Sequence, residues 1–137
     1  CGTILPSKGK VFISIDDDNK KFILTIVKKL IDLNFIIVAT KGTAKFLNDN
    51  NLKVETINKV KEGGSHIVKA IANKLIDLVI NTTKTQGSIR DSYSIRRTSL
   101  TFNIPYYTTI AGAKVAVDTI EHLKNNKLKV KSLQDLN

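Results

Sequence analysis

Short apolar runs recur along this 137-residue chain, and each is followed by a stretch with helical periodicity. The clearest run is Phe35-Ile36-Ile37-Val38-Ala39, β-branched and of strand length, followed by Thr40-Lys41-Gly42-Thr43 and a helix-like segment. Val11 to Ile15 and Leu78 to Asn81 are of the same kind. Val54 to Asn58 reads as an edge strand because Glu55 breaks its apolar character, and Pro105 leads into a last short strand at Tyr106-Tyr107. Strands that are apolar throughout are buried on both faces. Five strands alternating with five helices therefore predict an α/β fold: a five-stranded parallel sheet with helices on both faces, a three-layer sandwich. Right-handed crossovers put every carboxyl end on one edge of such a sheet, and ligands bind at that edge.

The helices are set by spacing. One spans about 19–33, after a turn at Asp16-Asp17-Asp18, with Phe22, Ile23, Ile26, Val27, Leu30 and Ile31 on its inner face and Asn34 as its stop. A short one covers about 44–50, with Gly42 making a tight turn and Thr43 capping. Ser65 caps a third, from His66 to about Lys74. Asp91 or Ser92 caps a fourth that comes after a polar loop from Thr82 to Gly87 and runs to about Phe102, with Ile95, Ser99 and Phe102 along one stripe. The last, Ala111 to Lys124, turns Ala113, Ala116, Val117, Ile120 and Leu123 inward. Residues 1–9 read as a linker from a missing upstream region, 10–124 as one domain, and 125–137 as a polar, lysine-rich tail with room for a short strand at Leu128 to Val130. The chain starts at Cys1 and contains no methionine, so it is expected to be a piece of a longer or processed protein.

Composition narrows the function. The net charge of +10 invites a nucleic-acid reading. However, only Arg90, Arg96 and Arg97 among the 22 basic residues are arginine, the side chain suited to bidentate phosphate and guanine contacts, and the lysines are scattered. A solvated surface is the better account, and no nucleic-acid partner is expected. The apolar runs are too short to cross a bilayer, and a single cysteine gives no disulfide framework, so no membrane partner and a cytoplasmic setting are expected.

The chemistry lies just past the end of each strand. Ser14 ends the first; Thr40 and Thr43 come after the second; Lys59 after the third; Asn81, Thr82 and Thr83 after the fourth; Thr108 and Thr109 after the fifth. Lys20 sits one turn into the first helix. Two ammonium groups, several hydroxyls and an amide on one rim suit a phosphate joined to a sugar. Capping alone accounts for a Ser or Thr after a strand, but not for Lys59 or the run Asn81 to Thr83. Catalytic signals are weaker. His66 and His122 are far apart, no metal-ligand spacing occurs, and neither a Walker loop nor G-x-G-x-x-G is present. Asp16 to Asp18 suit a solvated turn better than a cation site or a base, and Arg96-Arg97 suits pairing with a neighbouring domain or with acids of its own chain.

Four segments carry a family resemblance: Ala39-Thr40-Lys41-Gly42-Thr43-Ala44, Asn58-Lys59-Val60-Lys61-Glu62-Gly63, Ile80-Asn81-Thr82-Thr83 and Asp91-Ser92-Tyr93-Ser94-Ile95-Arg96-Arg97. With them the chain, over roughly 9–123, resembles the C-terminal allosteric domain of the carbamoyl phosphate synthetase large chain, of methylglyoxal-synthase-like fold. The resemblance implies that Ser14, Lys20, Thr40, Thr43, Lys59, Asn81, Thr83 and Ser92 bind a nucleotide effector, UMP or IMP, with the two lysines and the two threonines on its phosphate. It implies that Tyr106 and Thr108 serve an ornithine site bordering the preceding domain. The parent would be an ATP-dependent ligase using Mg or Mn. It would make carbamoyl phosphate from glutamine, bicarbonate and two ATP for arginine and pyrimidine biosynthesis, together with its upstream synthetase domains and a small glutaminase chain. This fragment would hold no cofactor, metal or catalytic residue. Two departures stand out. Thr85-Gln86-Gly87, beside Lys84, occupies the loop where bacterial relatives can carry an arginine pair, and Ser65 stands where methylglyoxal synthases have a catalytic aspartate. The alternative reading is a stand-alone phospho-substrate enzyme of methylglyoxal synthase type, with Glu62, Asp91 and Asp16 to Asp18 as the candidate bases.

Overall fold

In a computed structural model of the chain, the described residues are 9–57, 66–82 and 86–135, with side chains described for all of these except 66, 86–93 and 127–135. The strands are β1 (Gly9–Ser14), β2 (Phe35–Ala39), β3 (Glu55–Thr56), β4 (Leu78–Asn81) and β5 (Tyr106–Tyr107). The helices are α1 (Lys20–Asp32), α2 (Lys41–Asp49), α3 (His66–Ala72), α4 (Gln86–Thr101) and α5 (Ile110–Asp135). All strand pairings are parallel, in the order β3-β2-β1-β4-β5.

The sheet separates two cores. Val11 and Ile13 of β1, Phe35, Ile37 and Ala39 of β2, and Leu78 and Ile80 of β4 face α1, α2 and α5, which contribute Ile23, Leu30, Leu47, Val117 and others. Phe12 and Val79 face the other way, onto Ile67 and Ile71 of α3 and Ile95 of α4. This is the three-layer arrangement that fully apolar strands require. Helix α1 buries Ile23, Ile26, Val27 and Leu30, one helical stripe at i, i+3, i+4 and i+7. Burying a side chain such as Leu30 contributes about 1.5–3 kcal/mol. Asn34, at φ 72°, stops the helix in the left-handed region, and its N–H reaches the Ile31 carbonyl at 2.9 Å.

Several boundaries differ from the sequence reading. Helix α2 begins at Lys41, so Gly42 lies in its first turn, and the extended residue before it is Thr40, not Thr43. Helix α4 begins at Gln86, so Ser92 lies inside it and does not cap it. Gly87 costs a helix about 1 kcal/mol at most, too little to hold the segment ahead of Asp91 out of it. Helix α5 continues to Asp135, through the supposed tail and the supposed strand at Leu128 to Val130. No Gly or Pro comes after Gly112 to stop it. Phe22 and Leu123, expected to face inward, are 54% and 52% exposed, because they flank the stripes that pack. Gly9 belongs to β1 and adopts φ +127°, where a Cβ would collide with the Asp77 carboxylate. That carboxylate accepts from the Lys10 N–H at 3.0 Å. Residues 1–8 lie outside the described residues.

Candidate functional site

Strand order locates the crevice. The chain moves outward from β1 through β2 to β3, then returns to β4 on the other side of β1. The loop after β1 leads to a helix on one face, and the loop after β4 leads to a helix on the other. The ends of β1 and β4 therefore part at a topological switch point, the place where such sheets bind ligands. Ser14 and Asn81 are register partners there, both buried. Beyond them the Thr82 N–H donates to the Ser14 carbonyl at 2.9 Å, and the Thr82 hydroxyl accepts from the Asp16 N–H at 3.3 Å. Thr82 thus ties the two parting loops together.

The β2–α2 turn supplies the anion-facing side. Thr40 is extended at the helix cap, and its hydroxyl bonds to Ser14 Oγ (3.4 Å) and Thr43 Oγ1 (3.3 Å), making no capping bond. Thr43 Oγ1 accepts from the Ile15 N–H at 3.1 Å, which pins the first turn of α2 to the end of β1. The first bond within the helix runs from the Ala44 N–H to the Thr40 carbonyl at 2.7 Å. The N–H groups of Lys41, Gly42 and Thr43 precede that bond and form a helix N-terminus of the kind that attracts anions. Lys20 Nζ lies 3.8 Å from where a Cβ on Gly42 would sit, so this ammonium stands over the same turn.

A 3₁₀ turn at Asp17–Asn19 delivers Lys20. Asp16 caps that turn, its Oδ1 accepting from the Asn19 N–H at 3.1 Å and from Asn19 Nδ2 at 2.6 Å. Asp17 holds the Lys20 ammonium at 2.6 Å. Asp17 is almost fully exposed and Lys20 is only 21% exposed, so the carboxylate can swing away while the ammonium stays at the rim. The hydrogen bond and charge of Lys20 hold the Asp17 carboxyl below its ordinary value.

On the β4–β5 side, Asn81 Nδ2 donates to the Tyr106 hydroxyl at 3.1 Å. Burial pushes the Tyr106 phenol above its usual value, against the smaller opposing effects of the Asn81 hydrogen bond and the Arg96 charge. Thr108 is exposed, and the Thr109 hydroxyl accepts from the Gly112 N–H at 3.0 Å at the start of α5.

The structure therefore brings Ser14, Lys20, Thr40, Thr43 and Asn81 to one rim, and Tyr106 joins them through Asn81. Lys59 and Thr83 lie outside the described residues, as does the Ser92 side chain. Sequence reasoning missed the parts played by Thr82 and Asp17. The i, i+3 spacing of Asp17 and Lys20 was the available signal for the second. A groove of about 220 Å³ between α1 and α5 has an apolar floor of Phe22, Ile26, Ile110 and Val117 with Thr25, Lys29, Lys114 and Asp118 around it, and includes none of the rim hydroxyls. The rim is the better site on chemical grounds, since it joins a helix N-terminus, buried hydroxyls and Lys20 at the switch point, whereas Lys29 in the groove is already paired with Asp118 at 2.8 Å. Among the described residues no group of three His, Cys, Asp or Glu side chains is placed to hold a metal, and no helix is long and apolar enough to cross a membrane.

Comparison with known proteins agrees with this architecture. The chain is 45% identical over 134 residues to the carbamoyl phosphate synthase large chain of Mesorhizobium japonicum, and 46% identical to that of Brucella suis. Each match takes in 98% of this chain and lies in the C-terminal part of the relative. This chain spans only 12% of the length of those relatives. Among solved structures, methylglyoxal synthase from Elizabethkingia anophelis shares the fold at a TM-score of 0.63 and 20% identity, over 82% of this chain and 79% of that one. The family model of the MGS-like domain matches residues 22–108, from the first turn of α1 past the end of β5, and the chain belongs to that family.

Proposed function

We propose that this chain is the C-terminal regulatory domain of a carbamoyl phosphate synthase large chain and that its rim binds a nucleoside monophosphate, UMP or IMP. The observation that carries the reading is the Lys20 ammonium standing over the first turn of α2, beside the Thr40 and Thr43 hydroxyls, at the switch point of the sheet. Helix N–H groups, hydroxyls and a cation held at the rim are what a phosphate needs. In this reading Lys59, Thr83 and Ser92 complete the nucleotide site, and Thr108 faces an ornithine site at the border with the upstream synthetase domains. The parent enzyme, with its small glutaminase chain, makes carbamoyl phosphate in the cytoplasm with ATP and Mg or Mn. The effector acts by binding the parent's states unequally. A coupling of about 1–3 kcal/mol shifts affinity roughly 5- to 150-fold.

A regulatory role is favoured over stand-alone chemistry by the rim's own acids. Asp16 is spent on capping Asn19, and Asp17 is paired with Lys20 on the exposed side of the turn, so neither carboxylate stands free beside the hydroxyls as a general base would. Titration of the chain with UMP and IMP tests the proposal. Lys20→Ala or Lys59→Ala is expected to weaken binding at least tenfold, the worth of one charge-assisted hydrogen bond of about 1.5–3 kcal/mol. Unchanged affinity in both variants overturns the site. Turnover of dihydroxyacetone phosphate by the purified chain would instead favour an enzyme of methylglyoxal synthase type.

A further inference from the structure

Tyr106 is aligned with Val79 in the β4–β5 register, and its ring packs with the cluster of Phe12, Val79 and Ile95 on the α3–α4 side of the sheet. From there the hydroxyl reaches two residues along the strand direction to Asn81. A phenylalanine would fill the same space, so the core has no need of the oxygen. A half-buried phenol gains from a partner, and Asn81 would serve if that were all. Its position says more. Asn81 is the register partner of Ser14, whose hydroxyl accepts from Thr40, which in turn bonds to Thr43 at the first turn of α2. The polar row thus runs from the phosphate side of the rim to β5. Since β2 and β4 are two strand spacings apart, about 10 Å, a molecule whose anion sits at α2 has the length to reach Asn81 across β1.

We propose that Tyr106 is a positioning residue of the rim, its hydroxyl fixing the plane of the Asn81 amide that reads the uncharged body of a phosphate-bearing ligand, separately from the phosphate grip at α2. This rests on the nucleotide-site reading above and adds a division of labour to it. It also gives Tyr106 a task distinct from the ornithine contact implied by family resemblance.

The test compares inorganic phosphate, ribose 5-phosphate and UMP as calorimetric ligands for the wild-type chain, Tyr106→Phe, Asn81→Ala and the double variant. Tyr106→Phe keeps the packing and is expected to weaken UMP about fivefold while leaving inorganic phosphate within twofold. Asn81→Ala should do the same or more, and adding Tyr106→Phe to it should cost nothing further. A uniform loss for all three ligands, no loss for UMP, or additive effects in the double variant each overturn the proposal. A wild-type chain that binds neither phosphate nor UMP overturns the underlying reading and this proposal with it. Normal UMP binding by Tyr106→Phe overturns the positioning role alone.

Discussion

The two ends of α1 use lysine in opposite ways. At the amino end, Lys20 pairs with Asp17, three residues away, and its ammonium stands over the first turn of another helix. Toward the carboxyl end, Lys29 crosses to α5, reaching Asp118 at 2.8 Å and Glu121 at 3.5 Å. Lys124 returns the contact, its ammonium donating to the Leu33 carbonyl at the end of α1 and lying 5.5 Å from the Phe35 ring centre. The first pair is local and rests on an exposed carboxylate that an incoming anion can replace. The second joins elements far apart in the chain, and its ammonium is already taken up by the carboxylates of α5. A lysine's role here is decided by what lies opposite it, not by its place on the helix.

Exchanging the two lysines for alanine separates these roles most strongly. Lys29→Ala should leave UMP affinity within twofold, against the tenfold or greater loss expected for Lys20→Ala. Lys29→Ala should also lower the melting temperature by more than Lys20→Ala does, because of the two only Lys29 is ion-paired to a second helix. Calorimetric titration and thermal denaturation of both variants give the four numbers needed. A binding loss in Lys29→Ala as large as that in Lys20→Ala breaks the comparison.

Gly42→Ala sharpens it at smaller scale. The new Cβ would sit 3.8 Å from Lys20 Nζ, within ordinary contact distance, so the fold accepts it. Gly42 lies in the first turn of α2 away from positive φ, and alanine there should stabilise the chain by roughly 0.5 kcal/mol. The methyl also occupies space in which an anion would meet the helix N–H groups. A gain in melting temperature with a few-fold loss of UMP affinity is the expected pair of results. A gain in both would mean that the anion does not approach at this turn.

These contrasts explain what the sequence could and could not disclose. The stripe Ile23, Ile26, Val27 and Leu30 is set by local spacing, as are the apolar strands, so α1, the core and the layered α/β class were readable. The residues at strand ends were readable too, because parallel topology forces them to one edge. Partners were not. Thr43 meets Ile15 across 28 residues, Asn81 meets Tyr106 across 25, and Lys29 meets Asp118 across 89. Nothing local specifies such pairs. Helix starts failed for a related reason. Thr43 looked like a cap because it comes after a glycine, but its hydroxyl is spent on β1, a contact that exists only once the sheet is assembled.

The smallest effect concerns the α1–α5 pair and pH. The hydrogen bond from Lys29 lowers the Asp118 carboxyl below its ordinary 3.8, and the hydrogen bond to Asp118 is the largest of the influences that raise Lys29 above 10.5. A depressed carboxyl stabilises the fold above its unfolded value and loses that contribution as pH falls through the folded one. A raised ammonium stabilises below its unfolded value and loses its contribution as pH rises through the folded one. The advantage of wild type over Lys29→Ala should therefore be level between about pH 5 and 9 and shrink outside that window on both sides. Both groups are solvent-facing, so the advantage is modest and should fade in 1 M salt, where screening acts within about 3 Å. Melting curves of the two proteins across pH, at low and high salt, measure it. A difference that persists at pH 2, or resists salt, would mean that Lys29 stabilises α1 through the packing of its aliphatic stem and not through its charge.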